Sequence, residues 1–509
     1  MVFFTDSKPK AFYVTTPIYY PNDVPHIGHA YTTIAADALA RWYKLKGERV
    51  FFLTGTDEHG QKIEEAAKKK GLSPKAFVDS EVVHWKEALK VLGIEYDRFI
   101  RTTDEDHERV ASEVIQRAFD NGDIYKGHYE GLYCVACEKY YTEKDLVGGV
   151  CPDHKKAPTL LREETYFFKL SKYQNVLLEY YEKHPDFIEP EARCNEVVSF
   201  VKSGLEDISC SRVSFTWGIP LPFDRKHFEY VWFDALTNYL TGVGYLADIA
   251  KFKEFWPECI HLVGKDILRF HAVIWPAILL SAGLPLPKKV YAHGWWTIEG
   301  QKISKTIGNV VRIPELTKHG VDAARYFLLR EIPFGGDGDF SRKAFVDRYN
   351  ADLANDLGNL VLRVSTLALK NAGGKIERVE LASEKCLSFK QATEKAVKKT
   401  QELIEALQFD KALDEAWSII RAANRHVNET EPWKLAKTDE KHFREVIYCL
   451  SEGIRAFLLL GEPFIPTTVE KIRLQFGFER VALGGWRFGE GKSVEAKQGG
   501  ALFPKIEEF

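Results

Sequence analysis

Pro25-His26-Ile27-Gly28-His29 stands between a strand pattern and a helix pattern, and this arrangement decides the fold of the first domain. Residues 11–16 are β-branched and aromatic, which predicts a strand, and apolar residues recur at helical spacing over residues 31–42. A second strand pattern at residues 50–54 closes a βαβ unit. The two histidines therefore lie at the N-terminus of the first helix, where backbone N–H groups and the helix dipole favour phosphate. The glycine between them lets a ligand approach closely, although two turn histidines without a ligand are the alternative at this point.

Length and composition predict a soluble, multidomain globular protein. The chain has 509 residues, of which 45% are apolar and 28% are charged. The net charge of −3 argues against a surface that coats nucleic acid, but it leaves room for a local basic face. The first residues lack a basic region followed by an apolar run, and the longest uncharged run, residues 270–287, contains three prolines. We therefore expect a cytoplasmic protein without a signal peptide or a membrane span.

Strand and helix patterns alternate in two parts of the chain, which an aromatic, glycine-punctuated segment separates. This alternation predicts the α/β class, with a Rossmann-like, doubly wound parallel sheet that carries an insertion. In the second part, residues 230–233, 260–263 and 290–292 are strand candidates, and residues 267–282 predict a helix. Helical patterns with short connections then predict an all-α bundle. The expected segments are the first half of the sheet domain (1–115), the insertion (116–205), the second half (206–343), the helical bundle (344–480) and a tail that packs back on the body (481–509).

Four soft ligands lie close together in the insertion and predict one zinc site. Cys134 and Cys137 are separated by two residues, and Cys151 and His154 follow after a spacer of thirteen. Two such pairs can close a tetrahedral shell around one Zn²⁺, whereas four unrelated residues are the weaker alternative. Because four protein ligands leave no position for a reactive water, we expect a structural zinc that folds a small knuckle. The other cysteines are scattered, which favours a reducing compartment over a disulfide framework.

A polar loop at residues 300–309 carries two lysines three positions apart, Lys302 and Lys305. Lysine is a compact and mobile charge that suits a phosphate group which leaves during a reaction. On its own, the loop is equally typical of a solvated basic surface. Together with the histidines of the first helix, it predicts two phosphate-handling elements within one α/β domain.

A carboxylate and several aromatic residues predict a pocket in the same domain. Asp57 follows the second strand, at the carboxyl edge where ligands bind in such sheets, and could hold an ammonium group. Two helical faces carry the aromatic residues, one with Trp232, Ala235 and Tyr239 and the other with Ile267, His271 and Trp275. In isolation, ordinary core aromatics are the better explanation of these spacings.

Taken together, the motifs resemble those of the methionyl-tRNA synthetase family of class I aminoacyl-tRNA synthetases, in its bacterial form with a single zinc knuckle. The resemblance covers nearly the whole chain, and the matching segments are residues 15–20, 26–29, 54–60, 230–235, 264–267 and 302–306. The two class I signatures are the segments 26–29 and 302–306. The second has Ile303 where the family usually has methionine and Thr306 where serine is common, but neither change affects the lysines.

The resemblance implies the reaction of a methionine–tRNA ligase. The carboxylate of L-methionine would attack the α-phosphate of ATP, release pyrophosphate and leave methionyl-adenylate, and the 3′ end of the methionine tRNA would then accept the methionyl group. By the same resemblance, His26 and His29 stabilise the triphosphate, and Lys302 and Lys305 close over the leaving pyrophosphate. Mg²⁺ would accompany ATP and share its charge.

The resemblance also assigns residues to two binding sites. Asp57 and the backbone of Ile18 would hold the methionine ammonium, and Arg212 matches a family arginine near that carboxylate. The thioether pocket would be lined by Tyr20, Trp232, Ala235, Tyr239, Ile267 and His271. In the bundle, Asn359 and Arg363 would contact anticodon bases and Trp433 would stack on one. Without the resemblance, a helix cap at Asn359 and a core anchor at Trp433 would be the preferred interpretations.

The implied partners are ATP, L-methionine and the methionine tRNA, through both its acceptor end and its anticodon, with no membrane. Longer family members dimerise through a tRNA-binding barrel, and since no such barrel follows residue 509, a monomer is expected. One alternative is a class I synthetase for another amino acid such as cysteine, against which the aromatic pocket and the anticodon residues speak. The other is a non-catalytic tRNA-binding paralogue, which usually loses a signature histidine or lysine.

Overall fold

The structure is a computed structural model that describes residues 9–22, 24–134, 139–141, 145–152, 155–302 and 308–509. Its strands in chain order are β1 (Ala11–Tyr19), β2 (Arg49–Thr56), β3 (Arg98–Arg101), β4 (Ile124–Cys134), β5 (Lys139–Tyr141), β6 (Thr159–Phe168), β7 (Ile188–Glu189), β8 (Ile208–Ser209), β9 (Ser211–Arg212), β10 (Pro220–Leu221), β11 (Asp224–Glu229), β12 (Cys259–Gly264), β13 (Lys289–His293), β14 (Trp296–Ile298), β15 (Gln301–Lys302), β16 (Gly338–Phe340), β17 (Lys375–Ile376) and β18 (Val494–Glu495).

The helices lie between these strands in the first part of the chain and follow one another in the last part. In chain order they are α1 (Ile27–Leu45), α2 (Gln61–Lys69), α3 (Pro74–Val91), α4 (Glu105–Asp120), α5 (Gln174–Lys183), α6 (Glu191–Lys202), α7 (Val231–Leu236), α8 (Asn238–Gly242), α9 (Ile249–Phe255), α10 (Trp275–Ser281), α11 (Ile313–Leu316), α12 (Val321–Arg330), α13 (Arg342–Arg348), α14 (Asn359–Ala372), α15 (Glu384–Glu405), α16 (Phe409–Thr430), α17 (Pro432–Thr438), α18 (Glu440–Gly461) and α19 (Pro466–Phe476). Phe270–Ile274 and Tyr349–Gly358 are π-helical and lead directly into α10 and α14.

A parallel sheet of six strands lies at the centre of the α/β part, in the order β3-β2-β1-β12-β13-β7. Its strands pair parallel from one edge, where Leu53 lies opposite Arg98, to the other, where Val290 lies opposite Ile188. Helix α1 packs on β1 and β2, and its Trp42 is fully buried. The doubly wound parallel sheet predicted from the sequence is therefore confirmed.

The middle strand β1 lies between β2 and β12, so the chain changes from one half of the sheet to the other beside it. Such a switch point leaves a crevice at the carboxyl ends of the strands. The register of β1 against β2 shifts between Thr15 and Ile18, across Pro17, which has no N–H to donate to the ladder. On β2, a Cβ atom at Gly55 would stand 1.9 Å from the carbonyl oxygen of Ile100, so only glycine allows β3 to approach this closely.

Residues 230–233 were predicted as a strand, and this prediction is wrong. Tyr230 is extended, but helix α7 begins at Val231, and the N–H of Phe233 donates to the carbonyl oxygen of Tyr230 at 2.8 Å. The pattern misled because a short aromatic and β-branched run looks the same in a buried helix as in a buried strand.

The insertion is built on a long antiparallel hairpin. Strands β4 and β6 pair along their length, and β5 and β8 flank them in the order β5-β4-β6-β8. Helices α5 and α6 follow the hairpin, and β7, between them, joins the central sheet beside β13. The insertion is thus tied to the edge of the parallel sheet by its own strand.

A helical bundle follows the sheet domain, with α15, α16 and α18 packed against one another. Trp417 and Phe457 meet in its core with ring centroids 4.9 Å apart. The tail turns back: β18 pairs antiparallel with β17, and the ring of Phe509 lies 5.2 Å from that of Phe340 on β16. None of the described helices is long and apolar enough to cross a membrane.

A buried arginine joins the bundle to the sheet domain. Arg325 on α12 is fully buried, and its Nη2 lies 2.6 Å from Oδ2 of Asp37 on α1. The remaining N–H groups of its guanidinium donate to the carbonyl oxygens of Leu92, Pro463 and Phe464. Because the carbonyls of Pro463 and Phe464 follow α18, this one side chain holds both parts of the molecule.

Candidate active site

The two signature histidines cap helix α1. His26 is the N-cap residue, and its Nδ1 accepts a hydrogen bond from the N–H of Gly28 at 3.1 Å. Nδ1 of His29 accepts in turn from the N–H of His26 at 3.2 Å. Since Nδ1 is the acceptor in both rings, the neutral tautomer carries its proton on Nε2, where it is a donor for a phosphate oxygen. A Cβ at Gly28 would lie 3.1 Å from Cε1 of His26, so the glycine makes room for the capping ring.

The segment that follows the lysine loop is anchored at the same helix start. The N–H of Ile27 donates to the carbonyl oxygen of Val311 at 3.0 Å, and His26 pairs with Arg312 in an antiparallel bridge. On the other side of the loop, Lys302 lies in β15 and pairs with Thr297 of β14. Lys305 lies in the segment 303–307, outside the described residues, and so does the side chain of Lys302. The structure therefore brings residues 311 and 312, which follow the second signature in the chain, to the beginning of the first signature.

Asp57 lies directly after β2, at the carboxyl edge of the sheet, and is 4% exposed. Its N–H donates to the carbonyl oxygen of Tyr19 at 2.9 Å, and Ile18 pairs with Gly55 in the same ladder. Ile18 and Asp57 thus lie at the carboxyl ends of two neighbouring strands. Burial raises the pKa of Tyr239, and the negative charge of Asp57 adds a smaller contribution to this rise.

Tyr239 and His271 form a hydrogen-bonded pair in the pocket. Nε2 of His271 lies 2.7 Å from the Tyr239 hydroxyl, and Nδ1 lies 3.0 Å from the carbonyl oxygen of Ile267. A carbonyl can only accept, so Nδ1 carries the proton and Nε2 accepts from the hydroxyl. Burial lowers the pKa of His271 to about 4, against a smaller opposing effect of the Ile267 carbonyl, and the ring is neutral near pH 7.

Of the other predicted lining residues, Trp232 contacts this pair directly. Trp232 on α7 stacks on Phe270 at 3.7 Å and meets the ring of His271 edge-on at 6.2 Å. Ala235, on the same short helix, is buried, whereas Ile18, Tyr20, Trp232 and Ile267 are half-buried against the core that contains Tyr239. The predicted lining residues therefore pack on one core, and Phe270 joins them although the sequence analysis did not select it.

Arg212 is buried on β9, where its Nη1 donates to the Ser209 hydroxyl and to the Ser211 carbonyl oxygen, both at 2.6 Å. Its guanidinium lies 4.3 Å from the centroid of the Tyr230 ring. These contacts orient the side chain firmly beside the residue that precedes α7. Its placement next to the Asp57 carboxylate stays a prediction.

Sequence reasoning missed a buried carboxylate that binds two histidines. Oδ2 of Asp234 lies 2.6 Å from Nδ1 of His59, and Oδ1 lies 2.7 Å from Nε2 of His107. The pKa of Asp234 is lowered to about 2 because the two histidines outweigh its burial. The pKa of His59 is raised, since Asp234 outweighs the effect of burial. Asp234 stands in the apolar run 231–236, and a lone carboxylate in such a run is the signal that could have found it.

His261 is a second residue that sequence reasoning missed. It lies on β12, its Nδ1 is 2.8 Å from the Thr15 hydroxyl, and its ring centroid is 4.2 Å from that of Tyr239. Burial holds its pKa well below the usual range, so the ring is neutral. A histidine inside the apolar run 259–263 was the available signal.

The described half of the predicted zinc knuckle is compatible with a metal site. Cys134 and Cys151 are buried in one small cluster with Tyr141, and the N–H of Lys155 donates to the carbonyl oxygen of Cys151 at 2.9 Å. Cys137 and His154 lie outside the described residues. The thiols fit the group expected, because two soft donors share a cluster too small to be a core. None of the seven described cysteines forms a disulfide.

A second group of possible metal ligands lies in the bundle and was not predicted. Cys386, His426 and Cys449 are buried, and their ligand atoms lie within 4.8 Å of one another.

The predicted anticodon residues lie on one surface of the bundle. Asn359 and Arg363 are exposed one turn apart on α14, and Nη1 of Arg363 donates to Oδ1 of Asn428 on α16 at 3.2 Å. Trp433 stands at the start of α17 and is 42% exposed, so it is not a core anchor. Helix α17 contacts α14, the helix that carries the two polar side chains.

Comparison with known families identifies the class. The family described as "tRNA synthetases class I (M)" matches residues 12–159 and 154–365. The family described as "Anticodon binding domain of methionyl tRNA ligase" matches residues 380–506. The fold and the signature histidines thus define a class I tRNA synthetase.

Individual relatives agree with the families over almost the whole chain. The methionine–tRNA ligase of Caldanaerobacter subterraneus subsp. tengcongensis is 50% identical over 509 residues, which cover 98% of this chain and 79% of that protein. The methionine–tRNA ligase of Streptomyces coelicolor is 44% identical and covers 98% of this chain and 97% of its own length. The solved Mycobacterium tuberculosis methionyl-tRNA synthetase in complex with methionyl-adenylate is 40% identical, with a TM-score of 0.93 over 97% of this chain and 100% of that one. The chain belongs to the methionyl-tRNA synthetase family, as its motifs predicted.

Proposed function

We propose that this chain activates L-methionine with ATP to methionyl-adenylate and transfers the methionyl group to the 3′ end of methionine tRNA. The observation that carries the proposal is the backbone pairing of Ile27 with Val311 and of His26 with Arg312. This pairing ties the segment after the lysine loop to the N-terminus of α1. A triphosphate at that helix start has the histidine N–H donors beside it, and the segment that follows the loop lysines is anchored at the same helix start.

The ATP site works through positioning and charge. His26 and His29 donate from Nε2 to phosphate oxygens, and they contribute most as negative charge moves toward the leaving pyrophosphate. Lys302 and Lys305 neutralise the pyrophosphate, and Mg²⁺, bound with ATP, supplies further positive charge there. The helix dipole of α1 acts in the same direction.

The methionine site has a charged end and a neutral end. Asp57 and the carbonyl of Ile18 hold the ammonium, and Arg212 stands in the same region as a fixed positive charge. Tyr239 and His271 contact the thioether, with Trp232, Ala235, Ile267 and Tyr20 around it. Tyr239 donates to His271, and His271 donates to the carbonyl oxygen of Ile267. Because both donors are thus used, neither residue favours a substrate with a polar side chain over one with a thioether.

The tRNA is read at two places. Its 3′ end reaches the adenylate in the crevice, while Asn359 and Arg363 hydrogen-bond to anticodon bases and Trp433 stacks on one. One structural zinc in the knuckle of Cys134, Cys137, Cys151 and His154 shapes the insertion near the acceptor end. The chain acts as a monomer in the cytoplasm, where its thiols stay reduced.

The first experiment is ATP–pyrophosphate exchange across a panel of amino acids, with the full chain and with Lys305→Ala. We expect strong exchange with methionine and a rate about 10²–10³-fold lower in the variant, since one donor to the leaving group is lost. Methionine binding, measured by tryptophan fluorescence, should hardly change.

The matched control is Lys343→Ala, which removes an exposed lysine paired with Asp347 on α13. Exchange with cysteine but not methionine would identify a synthetase for another amino acid. Exchange with no amino acid by a chain that still binds tRNA would identify a non-catalytic paralogue. A full rate in Lys305→Ala would refute the role of the loop.

The second experiment tests the anticodon surface with Trp433→Ala. A stacked base is worth about 1–3 kcal/mol, so kcat/KM for tRNA charging should fall by about 5- to 150-fold, while the ATP–pyrophosphate exchange rate stays the same. Leu474→Ala, which truncates another exposed apolar side chain on α19, is the control. Equal rates of tRNA charging by the two variants would show that Trp433 does not contribute to anticodon binding.

A further inference from the structure

Three side chains on three different helices meet inside the bundle. Cys386 lies in the first turn of α15, His426 lies near the end of α16, and Cys449 lies in the middle of α18. Both thiols are fully buried and the imidazole is 4% exposed. Along the chain, His426 lies 40 residues after Cys386 and Cys449 lies 63 residues after it. Only the tertiary fold therefore brings the three side chains together.

The spacing of the three ligand atoms fits a metal ion. Sγ of Cys386 lies 3.6 Å from Nε2 of His426, and the three atoms lie within 4.8 Å of one another. In a tetrahedral zinc site, with a Zn–S bond of about 2.3 Å and a Zn–N bond of about 2.0–2.1 Å, the S···N edge is about 3.6 Å. The ring of Phe389 stacks on His426 at 5.3 Å and 20°, which holds the imidazole plane so that Nε2 stays aimed at the thiols.

We propose that Cys386, His426 and Cys449 bind a zinc ion, separate from the knuckle of the insertion, that fastens α15, α16 and α18 together. Two thiolates neutralise the charge of Zn²⁺ in a site without access for solvent, and the donor set of two sulfurs and one imidazole is one that zinc prefers. A buried water molecule completes the tetrahedral shell.

The position of this zinc gives it a task beyond stability. His426 lies two residues before Asn428, the acceptor for Arg363 on the predicted anticodon surface. On the other side, Nζ of Lys385, next to Cys386, donates to the carbonyl oxygen of Glu429 at 2.7 Å. The ion would therefore hold the end of α16, and with it the base-contacting surface, at a fixed distance from α15 and α18.

The molecule contains its own comparison for a thiol beside an imidazole. Sγ of Cys259 lies 3.7 Å from Nδ1 of His261, and both are fully buried, but this pair does not belong to a group of three ligands among the described residues. Cys259→Ser is thus a matched control for the loss of one buried thiol near one histidine.

The test is zinc content per chain, measured by mass spectrometry of metals on the full protein purified in the presence of zinc and then desalted. We expect Cys449→Ser to lose one equivalent relative to the unmutated chain, and Cys259→Ser to lose none. Equal zinc in the unmutated chain and Cys449→Ser overturns the proposal.

A measurement without any substitution covers the case in which Cys449→Ser does not fold. Crystals of the unmutated chain, grown with excess zinc, should show an anomalous difference peak at the zinc absorption edge between the three side chains. A map with no peak there, or with a disulfide joining Cys386 to Cys449, overturns the proposal.

Discussion

At the scale of single residues, the carbonyl oxygen of Ile267 determines which nitrogen of His271 carries the proton. That choice leaves Nε2 as an acceptor, which the hydroxyl of Tyr239 satisfies at 2.7 Å. The pocket wall is therefore polar in composition but saturated in its hydrogen bonds. Such a wall accepts a soft, weakly polar group such as a thioether at little cost in desolvation.

The neutral state of His271 predicts a pH dependence of stability. Its pKa falls from 6.5 to about 4 on folding, so between these values the unfolded chain binds more protons and stability is lost as the pH falls. From pH 7 to pH 5 this residue should cost about 2 kcal/mol of unfolding free energy. Urea unfolding at both pH values should show a loss in the unmutated chain that exceeds the loss in His271→Gln by that amount.

An equal pH dependence in His271→Gln and in the unmutated chain would contradict this assignment. A suitable control is His184→Gln, a change at the end of α5, far from the pocket in sequence.

The signature histidines show how much single residues could be predicted. His26 and His29 were placed correctly at the helix start because strand, turn and helix patterns are local. The direction of their hydrogen bonds was not predictable, because it depends on which backbone N–H each ring meets after folding.

At the scale of elements, Asp234 joins the loop after β2 to helix α7. His59 belongs to the loop that carries Asp57, and Trp232 and Ala235 belong to the helix that carries Asp234. The carboxylate therefore fixes the loop that carries Asp57, the proposed ammonium site, relative to the helix that carries two residues of the proposed thioether pocket. Its partners lie 175 and 127 residues away, which is why no local pattern could pair them.

Asp234→Asn should destabilise the protein by about 3–5 kcal/mol, because it leaves two buried histidines without their carboxylate. The lowered pKa of Asp234 gives stability that is present above pH 3.8 and lost as the pH falls toward about 2. The raised pKa of His59 gives stability that is present below pH 6.5 and lost as the pH rises through the folded value. The loss of unfolding free energy in Asp234→Asn, measured by urea unfolding, should therefore be greatest between pH 3.8 and pH 6.5.

The control for Asp234→Asn is Glu179→Gln, which breaks an exposed i,i+4 pair on α5 and should cost less than about 1 kcal/mol. A comparable cost for both variants would show that the buried cluster contributes little. A normal KM for methionine in folded Asp234→Asn would show that the cluster does not position the site.

The elements themselves were predictable to different degrees. The sheet and the bundle follow from strong periodicity, but residues 230–233 form a helix start because tertiary packing decides the state of a short apolar run. The π-helical turn Phe270–Ile274, which contains both Phe270 and His271, could not be predicted from the sequence. The apolar pattern of a helix does not show where a turn contains one extra residue.

At the scale of the whole molecule, Arg325 holds the bundle on the sheet domain. It stands in an apolar helix, and its guanidinium has partners on α1, on the loop after α3 and on the loop after α18. Sequence patterns could not find this joint, because each partner is a backbone oxygen or a carboxylate from a distant segment.

Arg325→Met should lower the free energy of unfolding by about 3–5 kcal/mol, because it removes one of the two arginines that pair with the buried Asp37 and leaves three buried carbonyl oxygens without their donor. Arg330 lies on the same helix as Arg325 and pairs with Asp414 on α16 at the surface. Arg330→Met, which breaks this pair, should lower the free energy of unfolding by less than about 1 kcal/mol. Equal unfolding midpoints in guanidinium chloride for the two variants would show that Arg325 does not stabilise the contact between the bundle and the sheet domain.

The path of the tail bears on how this molecule can be labelled. The ring of Phe509 packs on Phe340, whose strand β16 pairs with β14, and β14 pairs with the strand that contains Lys302. A fluorophore attached at residue 509 follows the bundle in sequence, yet in space it would stand beside the sheet from which the lysine loop extends. Its emission would therefore report on the surroundings of β14 and β16 rather than on those of the bundle, and a second dye on α17 would give a distance between the sheet domain and the bundle.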